Sequence, residues 1–398
     1  MNWTTASLGE VTQILSGTTP DSGNPALWGG AHVWVTPTDL GKLDGLTICE
    51  SARHISDLAL RERSLPLIPK NAVVMSSRAP IGHLAIAGCE LYTNQGCKSF
   101  VCGEALDFEF LFFNLRHRMV DIQSLGSGST FMEVSKSALE GFEICFPHID
   151  DQRQIAAHLK AQLTIVATAR QATQVQLKDA ALLRQRLLRQ TFDALADEPH
   201  KVLGEWATII SGVTPARDKG HYWQPAEVPW VKTGEIDFAP ITSVQESISK
   251  KALTECSLSL LPPKTVLVAI TGEGKTRGRS AVLEVAATTN QHSVSILPND
   301  TWDAYFLQLW MQSSYHDLRE LSEGRGGSRS ALSGGQMKAL EIPAPDIGAQ
   351  RRIVDLLKKQ LAEVDALRAA LEQQLRDLDA LPQRILALAF NLETAVDR

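Results

Sequence analysis

Two stretches of the sequence carry residue types that could hold a nucleotide. Ala269-Ile270-Thr271-Gly272-Glu273-Gly274-Lys275-Thr276 has the glycines and lysine of a relaxed phosphate loop and follows an apolar run. Leu332-Ser333-Gly334-Gly335-Gln336 spells the signature loop of ABC-type ATPases. Neither has the surroundings its chemistry needs. A phosphate loop runs straight into a helix whose N-terminus faces the anion, whereas Arg277-Gly278-Arg279-Ser280 leads into a strand-like segment, residues 281–285. No apolar run ending in Asp follows Gln336 to hold magnesium; the chain goes to Glu341-Ile342-Pro343.

The other sets that carry catalysis are missing. There is no GxSxG, no HExxH, no pair of carboxylates in a Gly-rich frame, and no GxGxxG opening a helix. Cys49, Cys89, Cys97, Cys102, Cys145 and Cys256 form no CxxC pair, and the histidines are scattered, so neither a metal site nor a disulfide framework is expected. No run of 18 apolar residues occurs, and the N-terminus lacks a basic-then-apolar leader, which predicts a cytoplasmic protein. Net charge is −6, which speaks against a protein that coats DNA blindly. Residues 1–149 hold 10 basic against 15 acidic residues and residues 197–347 hold 14 against 18, so a nucleic-acid partner would be met by local basic loops on acidic domains.

The elements that would position such loops are written as an internal repeat of about half the chain. Leu8-Gly9-Glu10 and Ser16-Gly17-Thr18-Thr19-Pro20 return as Leu203-Gly204-Glu205 and Ser211-Gly212-Val213-Thr214-Pro215. Trp34-Val35 returns as Trp230-Val231, and Thr93-Asn94-Gln95 as Thr289-Asn290-Gln291. Gln152-Arg153-Gln154-Ile155 returns as Gln350-Arg351-Arg352-Ile353, and Gln185-Arg186-Leu187-Leu188 as Gln383-Arg384-Ile385-Leu386. The repeat also places the two nucleotide-like stretches over residues 76–82 and 135–138, which are not nucleotide-like.

Each unit reads as a globular segment followed by a long helix. Short apolar runs after Pro (residues 72–75 and 265–270) and residues 281–285 and 293–296 suit strands, while residues 108–120 and 302–321 suit amphipathic helices, which makes the fold class α+β. In the last fifty residues, Ile353, Leu357, Leu361, Val364, Leu367, Leu371, Leu375, Leu378 and Leu381 recur in steps of three and four, the stripe of one long helix. Such a stripe needs a partner. Residues 151–195 supply it, with a seam through Ile155, Leu159, Leu163, Val166, Leu183 and Leu187 that turns polar at residues 171–176. That polar stretch predicts either a kink or a place filled by a partner subunit. The expected divisions are a first domain at 1–149, a spacer helix at 150–196, a second domain at 197–347 and a C-terminal spacer helix at 348–398.

These motifs, in this order and repeated twice, resemble the specificity subunits of type I restriction–modification systems. Ser77-Arg78-Ala79-Pro80-Ile81-Gly82 and the Gly-Ser loops at residues 125–130 and 323–328 belong to the same resemblance, which covers essentially the whole chain. It departs from a perfect repeat where His292 replaces the glycine seen at Gly96, and where residues 272–279 stand in place of Arg78-Ala79-Pro80. The resemblance implies two similar target-recognition domains of mixed sheets and short helices, joined by two long antiparallel helices in a pseudo-two-fold arrangement. It implies a non-catalytic DNA specificity subunit in a bacterial or archaeal cell. Each domain would read one half of a bipartite double-stranded target, and the helices would fix the spacing between halves. Two methyltransferase subunits carrying S-adenosylmethionine would dock on the helices through the seam residues above and Ile353, Leu357, Leu361, Val364, Leu371, Leu375 and Leu378; restriction and translocase subunits can join. The alternative is a scaffold that holds other proteins and does not select sequence.

On that reading the DNA contacts are polar loop residues. The first half offers Ser16, Thr18, Thr19, Ser77, Arg78, Asn94, Gln95, Ser127, Ser129, Thr130 and Lys136. The second offers Ser211, Thr214, Lys232, Thr271, Lys275, Arg277, Arg279, Asn290, Gln291, Arg325, Ser328 and Arg329, with Lys275, Arg277 and Arg279 forming the sharpest basic loop. Arginine can grip guanine with two donors, and Asn or Gln can grip adenine. Ser, Thr and Lys more often hold phosphate. Asn94 and Asn290, present in both halves, suit bracing a strand as well as reading a base.

Overall fold

The structure, a computed structural model, describes residues 2–62, 64–127, 132–272, 274–323 and 331–390. Contacts divide the chain into two compact units, residues 1–173 with 374–398, and residues 174–373.

In the first unit β1 (Thr4–Ser7) pairs antiparallel with β10 (Glu143–Phe146) and brings the two ends of the domain together. The main sheet has the order β2-β9-β6-β7-β4, built from β2 (Thr12–Ser16), β4 (Thr47–Ile48), β6 (Val73–Ser76), β7 (Leu84–Ala87) and β9 (Cys97–Cys102). A small sheet, β5-β3-β8, holds β3 (Trp28–Val35), β5 (His54–Ile55) and β8 (Tyr92–Thr93). All four residues of β6 are buried because both faces of the sheet are covered. Val73 and Met75 pack toward the helix Phe108–His117, and Val74 packs into a second layer with Val35, Leu40 and Leu91. That is why β6 reads as a continuous apolar run and not as an alternation.

The second unit repeats this plan. β11 (His200–Val202) pairs with β19 (Glu341–Pro343). The main sheet is β12-β18-β15-β16, from β12 (Ile209–Ser211), β15 (Val266–Ala269), β16 (Ser280–Val282) and β18 (Ser293–Ile296). The small sheet is β14-β13-β17, from β13 (Val228–Val231), β14 (Ser247–Ile248) and β17 (Thr288–Thr289). The helices predicted over 108–120 and 302–321 each break once, at Arg118 and Ser314, where ψ turns to 15° and 12°. The result is Phe108–His117 followed by Met119–Ser124, and Ala304–Ser313 followed by Tyr315–Leu321.

The two long helices are Ile149–Asp193 and Ile347–Phe390. Each starts at a joint made by a fully buried glutamine. Gln152 accepts the backbone N–H of Asp107 at 2.9 Å and donates to the carbonyls of Ala105 and Pro147 at 2.9 and 2.8 Å. Gln350 makes the same three bonds to Asp303, Thr301 and Pro345, each at 2.8 Å. Asp107 and Asp303 in turn cap the domain helices through their side chains. The Gln-Arg motif therefore ties each long helix to its own domain. The far ends of the helices cross over: Leu386 and Phe390 pack into the core of the first unit, while Leu188 and Phe192 pack into that of the second. Within each unit the helix segments run antiparallel and exchange an ion pair, Arg170–Asp379 at 2.6 Å in the first and Arg184–Asp365 at 3.7 Å in the second.

The seam differs from expectation at two positions. Leu183 is 43% exposed and Leu367 is 48% exposed, because the inward positions after Ala180 and Val364 fall to Arg184 and Arg368. At 3.6 residues per turn, a strict three-four stripe drifts around a straight helix. The helix is unbroken across residues 171–176, so no break marks the polar stretch. Thr173 is buried there, satisfying its hydroxyl on the carbonyl of Ala169 at 2.9 Å. The remaining expected seam residues, Ile155, Leu159, Leu163, Val166, Leu187, Ile353, Leu357, Leu361, Val364, Leu371, Leu375 and Leu378, are buried or half-buried. Among the described residues no helix is long and apolar enough to cross a membrane.

Candidate nucleic-acid interface

The repeated motifs meet in one loop cluster on each domain. Gly17 follows β2 and lies against the turn between β8 and β9. A Cβ on Gly17 would stand 2.0 Å from the carbonyl oxygen of Asn94, and one on Gly212 would stand 2.1 Å from that of Thr289. Only glycine allows that approach. The contact is then locked by hydrogen bonds: Thr18 N–H donates to the carbonyl of Thr93 at 2.8 Å, and Val213 N–H to that of Thr289 at 2.9 Å. The hydroxyls of Thr19 and Thr214 donate to the side-chain oxygens of Gln95 and Gln291. Ser-Gly-x-Thr-Pro and Thr-Asn-Gln are thus two sides of one joint.

Aromatic residues brace the same cluster. The indole N–H of Trp34 donates to the carbonyl of Thr18, and that of Trp230 to Val213, both at 3.1 Å. Trp28 stands edge-on to Trp34 at 4.9 Å, and Trp223 to Trp230 at 5.3 Å. A guanidinium lies over each pair, Arg53 at 3.5 Å from the Trp28 centroid and Arg217 at 3.7 Å from that of Trp223. Sequence reading missed both arginines. Arg53 follows its tryptophans and Arg217 precedes them, so no common spacing announces the pair.

The predicted contact residues separate into groups. Asn94 and Asn290 are braces: their side-chain oxygens accept the backbone N–H of Gly96 at 3.0 Å and of His292 at 3.1 Å, and Asn290 is buried. Ser77 is fully buried, its backbone bonded on both sides to Gly96 and Val134. Arg277 is 3% exposed and pairs with Glu323 at 3.5 Å. These burials move Ser77, Asn290 and Arg277 from the contact set to the framework, since a side chain without surface cannot touch a base edge. Thr18, Thr19 and Thr214 are half-buried in the joint, and Ser16 ends β2 beside them.

The groups with open surface are Gln95, Ser127, Lys136, Ser211, Lys275 and Gln291, together with half-buried Arg78, Lys232, Thr271 and Arg279. Arg279 pairs with Asp237 at 2.5 Å and Lys232 with Glu246 at 3.0 Å. Lys136 lies outside the joint, pairing with Glu140 along its own helix at 3.5 Å. The basic loop of the second domain is held from behind: Tyr315 donates to the carbonyl of Lys275 at 2.7 Å, and Arg319 to those of Gly274 and Arg277 at 2.8 and 3.2 Å. Ser129, Thr130, Arg325, Ser328 and Arg329 lie outside the described residues.

The nucleotide-like stretches resolve into local structure. Residues 274–279 turn directly into β16, with φ of +127° at Gly272 and +88° at Gly278. Ser333 and Gln336 form a capping box, Gln336 N–H to Ser333 Oγ at 3.1 Å and Ser333 N–H to Gln336 Oε1 at 2.8 Å. The Leu-Ser-Gly-Gly-Gln letters are a helix start.

A duplicated α+β domain with a polar loop cluster, each copy tied to a long helix, defines a class of two-domain recognition chains. The family model of the type I restriction modification DNA specificity domain matches residues 1–177 and 200–377, and the chain belongs to that family. It is 25% identical over 309 residues to the type I restriction enzyme MjaIX specificity subunit of Methanocaldococcus jannaschii, spanning 73% of this chain and 71% of that one. The solved HsdS subunit from Thermoanaerobacter tengcongensis superposes with a TM-score of 0.68 at 22% identity, covering 98% of this chain and 96% of that one. A chain from a structural study of complex assembly and conformational transition of the type I R-M system superposes with a TM-score of 0.72, also at 22% identity, covering 98% and 97%. These two likenesses support the fold.

Proposed function

We propose that this chain is the DNA-reading subunit of a type I restriction–modification complex, each domain reading one half of a split target through its loop cluster. The observation that carries the reading is the cluster itself, built twice on one framework with different outward groups: Arg78 in one copy stands where Thr271 stands in the other. One frame used twice with exchanged side chains suits the reading of two different half-sites. Lys275 and Arg53, both exposed, suit phosphate. The long helices set the separation of the half-sites; 45 residues span about 65–70 Å at 1.5 Å per residue. They also carry the docking surface for two methyltransferase subunits, which bring S-adenosylmethionine and methylate adenine, and restriction subunits can join. This chain's part is positioning.

The test is sequencing of methylated adenines in cells that express the chain with its methyltransferase. The expected result is a bipartite motif. Replacing residues 1–149 by another such domain should change one half only, and deleting seven residues from each long helix should change the spacer. Methylation without a bipartite motif, or a swap that leaves both halves intact as a scaffold would, overturns the reading.

A further inference from the structure

The hydrogen-bond frame fixes which positions of the two domains correspond. Ser77 N–H donates to the carbonyl of Gly96 at 2.8 Å, and Ile270 N–H to that of His292 at 3.0 Å. Val134 N–H donates to the carbonyl of Ser77 at 3.0 Å, and Leu332 N–H to that of Ile270 at 2.9 Å. Lys98 pairs across the sheet with Met75, and Val294 with Val268. Hence Arg78, Gly96, Lys98 and Glu133 of the first domain occupy the places of Thr271, His292, Val294 and Ala331 of the second. The bridges Arg78↔Glu133 and Thr271↔Ala331 agree.

The exchange is coupled, not piecemeal. Lys98 is 6% exposed, so its charge needs a partner, and Glu133 Oε1 supplies it at 3.4 Å. The other oxygen of Glu133 faces Arg78 Nη1 at 3.8 Å. Gly96 leaves room beside Arg78: a Cβ there would stand 3.1 Å from its Nε, tighter than an ordinary contact. In the second domain the buried position is apolar Val294, the carboxylate is replaced by Ala331, the arginine by the short Thr271, and the glycine by the exposed His292. Three charges and a glycine are replaced together by a set that needs no charge.

We propose that Arg78, Gly96, Lys98 and Glu133 form one specificity-determining set, in which Arg78 reads a guanine of the first half-site and Lys98 and Glu133 are positioning residues that aim it. The proposal rests on the reading that the loop cluster meets DNA. Lys98 anchors Glu133 from below and Glu133 orients the guanidinium, whose donors match the O6 and N7 acceptors of guanine. The second domain lacks this group and selects its half-site by other means.

The experiment uses the full chain with its methyltransferase and a panel of duplexes in which every base pair of both half-sites is varied. The parent is compared with two variants that lose Arg78, Arg78→Ala and the fourfold exchange Arg78→Thr, Gly96→His, Lys98→Val, Glu133→Ala, and with one that keeps it. At one G·C pair of the first half-site, discrimination should fall by about tenfold to a hundredfold in both, with second half-site preferences unchanged. The double variant Lys98→Val, Glu133→Ala, which keeps Arg78, should lose part of the same discrimination. Unchanged base preference in Arg78→Ala, or a change confined to the second half-site, overturns this inference while the function reading stands. A parent complex with no sequence preference at either half-site overturns both. Arg78 is half-buried and packs no core, so Arg78→Ala decides the matter even if the fourfold variant does not fold.

Discussion

Phe390 stands edge-on to Phe110, ring centroids 5.4 Å apart and planes at 67°, and Phe192 meets Phe306 with the same separation and angle. Each domain helix is therefore covered by the end of the long helix that belongs, in sequence, to the other repeat. Phe390 is 2% exposed. Phe390→Ala should cost the first unit about 3–5 kcal/mol, the usual loss for a buried aromatic. Hydrogen exchange would show it as lost protection in Phe108–His117 with little change in Ala304–Ser313. Equal loss in both helices would refute the assignment.

The glutamine joint makes a second prediction. Gln152→Ala removes three bonds and leaves the N–H of Asp107 and two carbonyls without their shared partner, which is itself fully buried. The expected loss is about 2–4 kcal/mol, since orphaned buried groups cost more than a made bond yields. Gln350→Ala should match it in the second unit. Chemical denaturation of each variant measures this, and a loss under about 1 kcal/mol would show that water replaces the amide.

Acid should weaken the second domain through Glu246. Its carboxylate accepts from Arg217, with Nη2 at 3.2 Å, and lies 3.0 Å from Lys232 Nζ. Arg217 foremost, with Lys232 adding to it, holds its pKa down at about 2 against an ordinary 4.5. A carboxyl depressed in the folded state stabilises above its unfolded pKa, and that contribution fades as pH falls from about 4.5 toward 2. Glu246→Gln should be about 1–2 kcal/mol less stable near pH 7, after allowance for partial exposure, and should converge on the parent in acid. Urea midpoints across that pH range test it; a constant gap would mean that the carboxylate's charge does not matter.

The seam gives a comparison between leucines. Leu357 is 1% exposed, while Leu183 and Leu367 are nearly half-exposed. Leu357→Ala should cost about 2–4 kcal/mol, and Leu183→Ala or Leu367→Ala under about 1 kcal/mol. Thermal unfolding of the three variants checks the order. If Leu367→Ala proved as costly as Leu357→Ala, the seam would follow the strict three-four stripe after all.

Much of this was legible before folding. Leu8, Trp34, β6 and the Gln-Arg motif recur in order, and a repeat in letters is a repeat in structure because each copy must bury the same faces. The site was less legible. Gln95 and Thr19 are both polar loop residues in the sequence, yet their side chains face each other in the joint. Arg277 reads as the centre of a basic loop and is buried. Glu133, acidic and unremarked in the sequence, holds both Lys98 and Arg78.

The amino-acid sequence by itself determined the duplication, the α+β character of each copy and the two long helices, because periodicity and turn residues record what each segment must bury locally. The tertiary structure alone decided that Phe390 closes on Phe110 and not on its own repeat, and which loop residues brace and which face outward. A hydrophobic stripe states that a partner is needed without naming it, and a polar side chain keeps the same letter whether it faces water or a neighbouring carbonyl. Those choices are made by contacts between segments far apart in the chain.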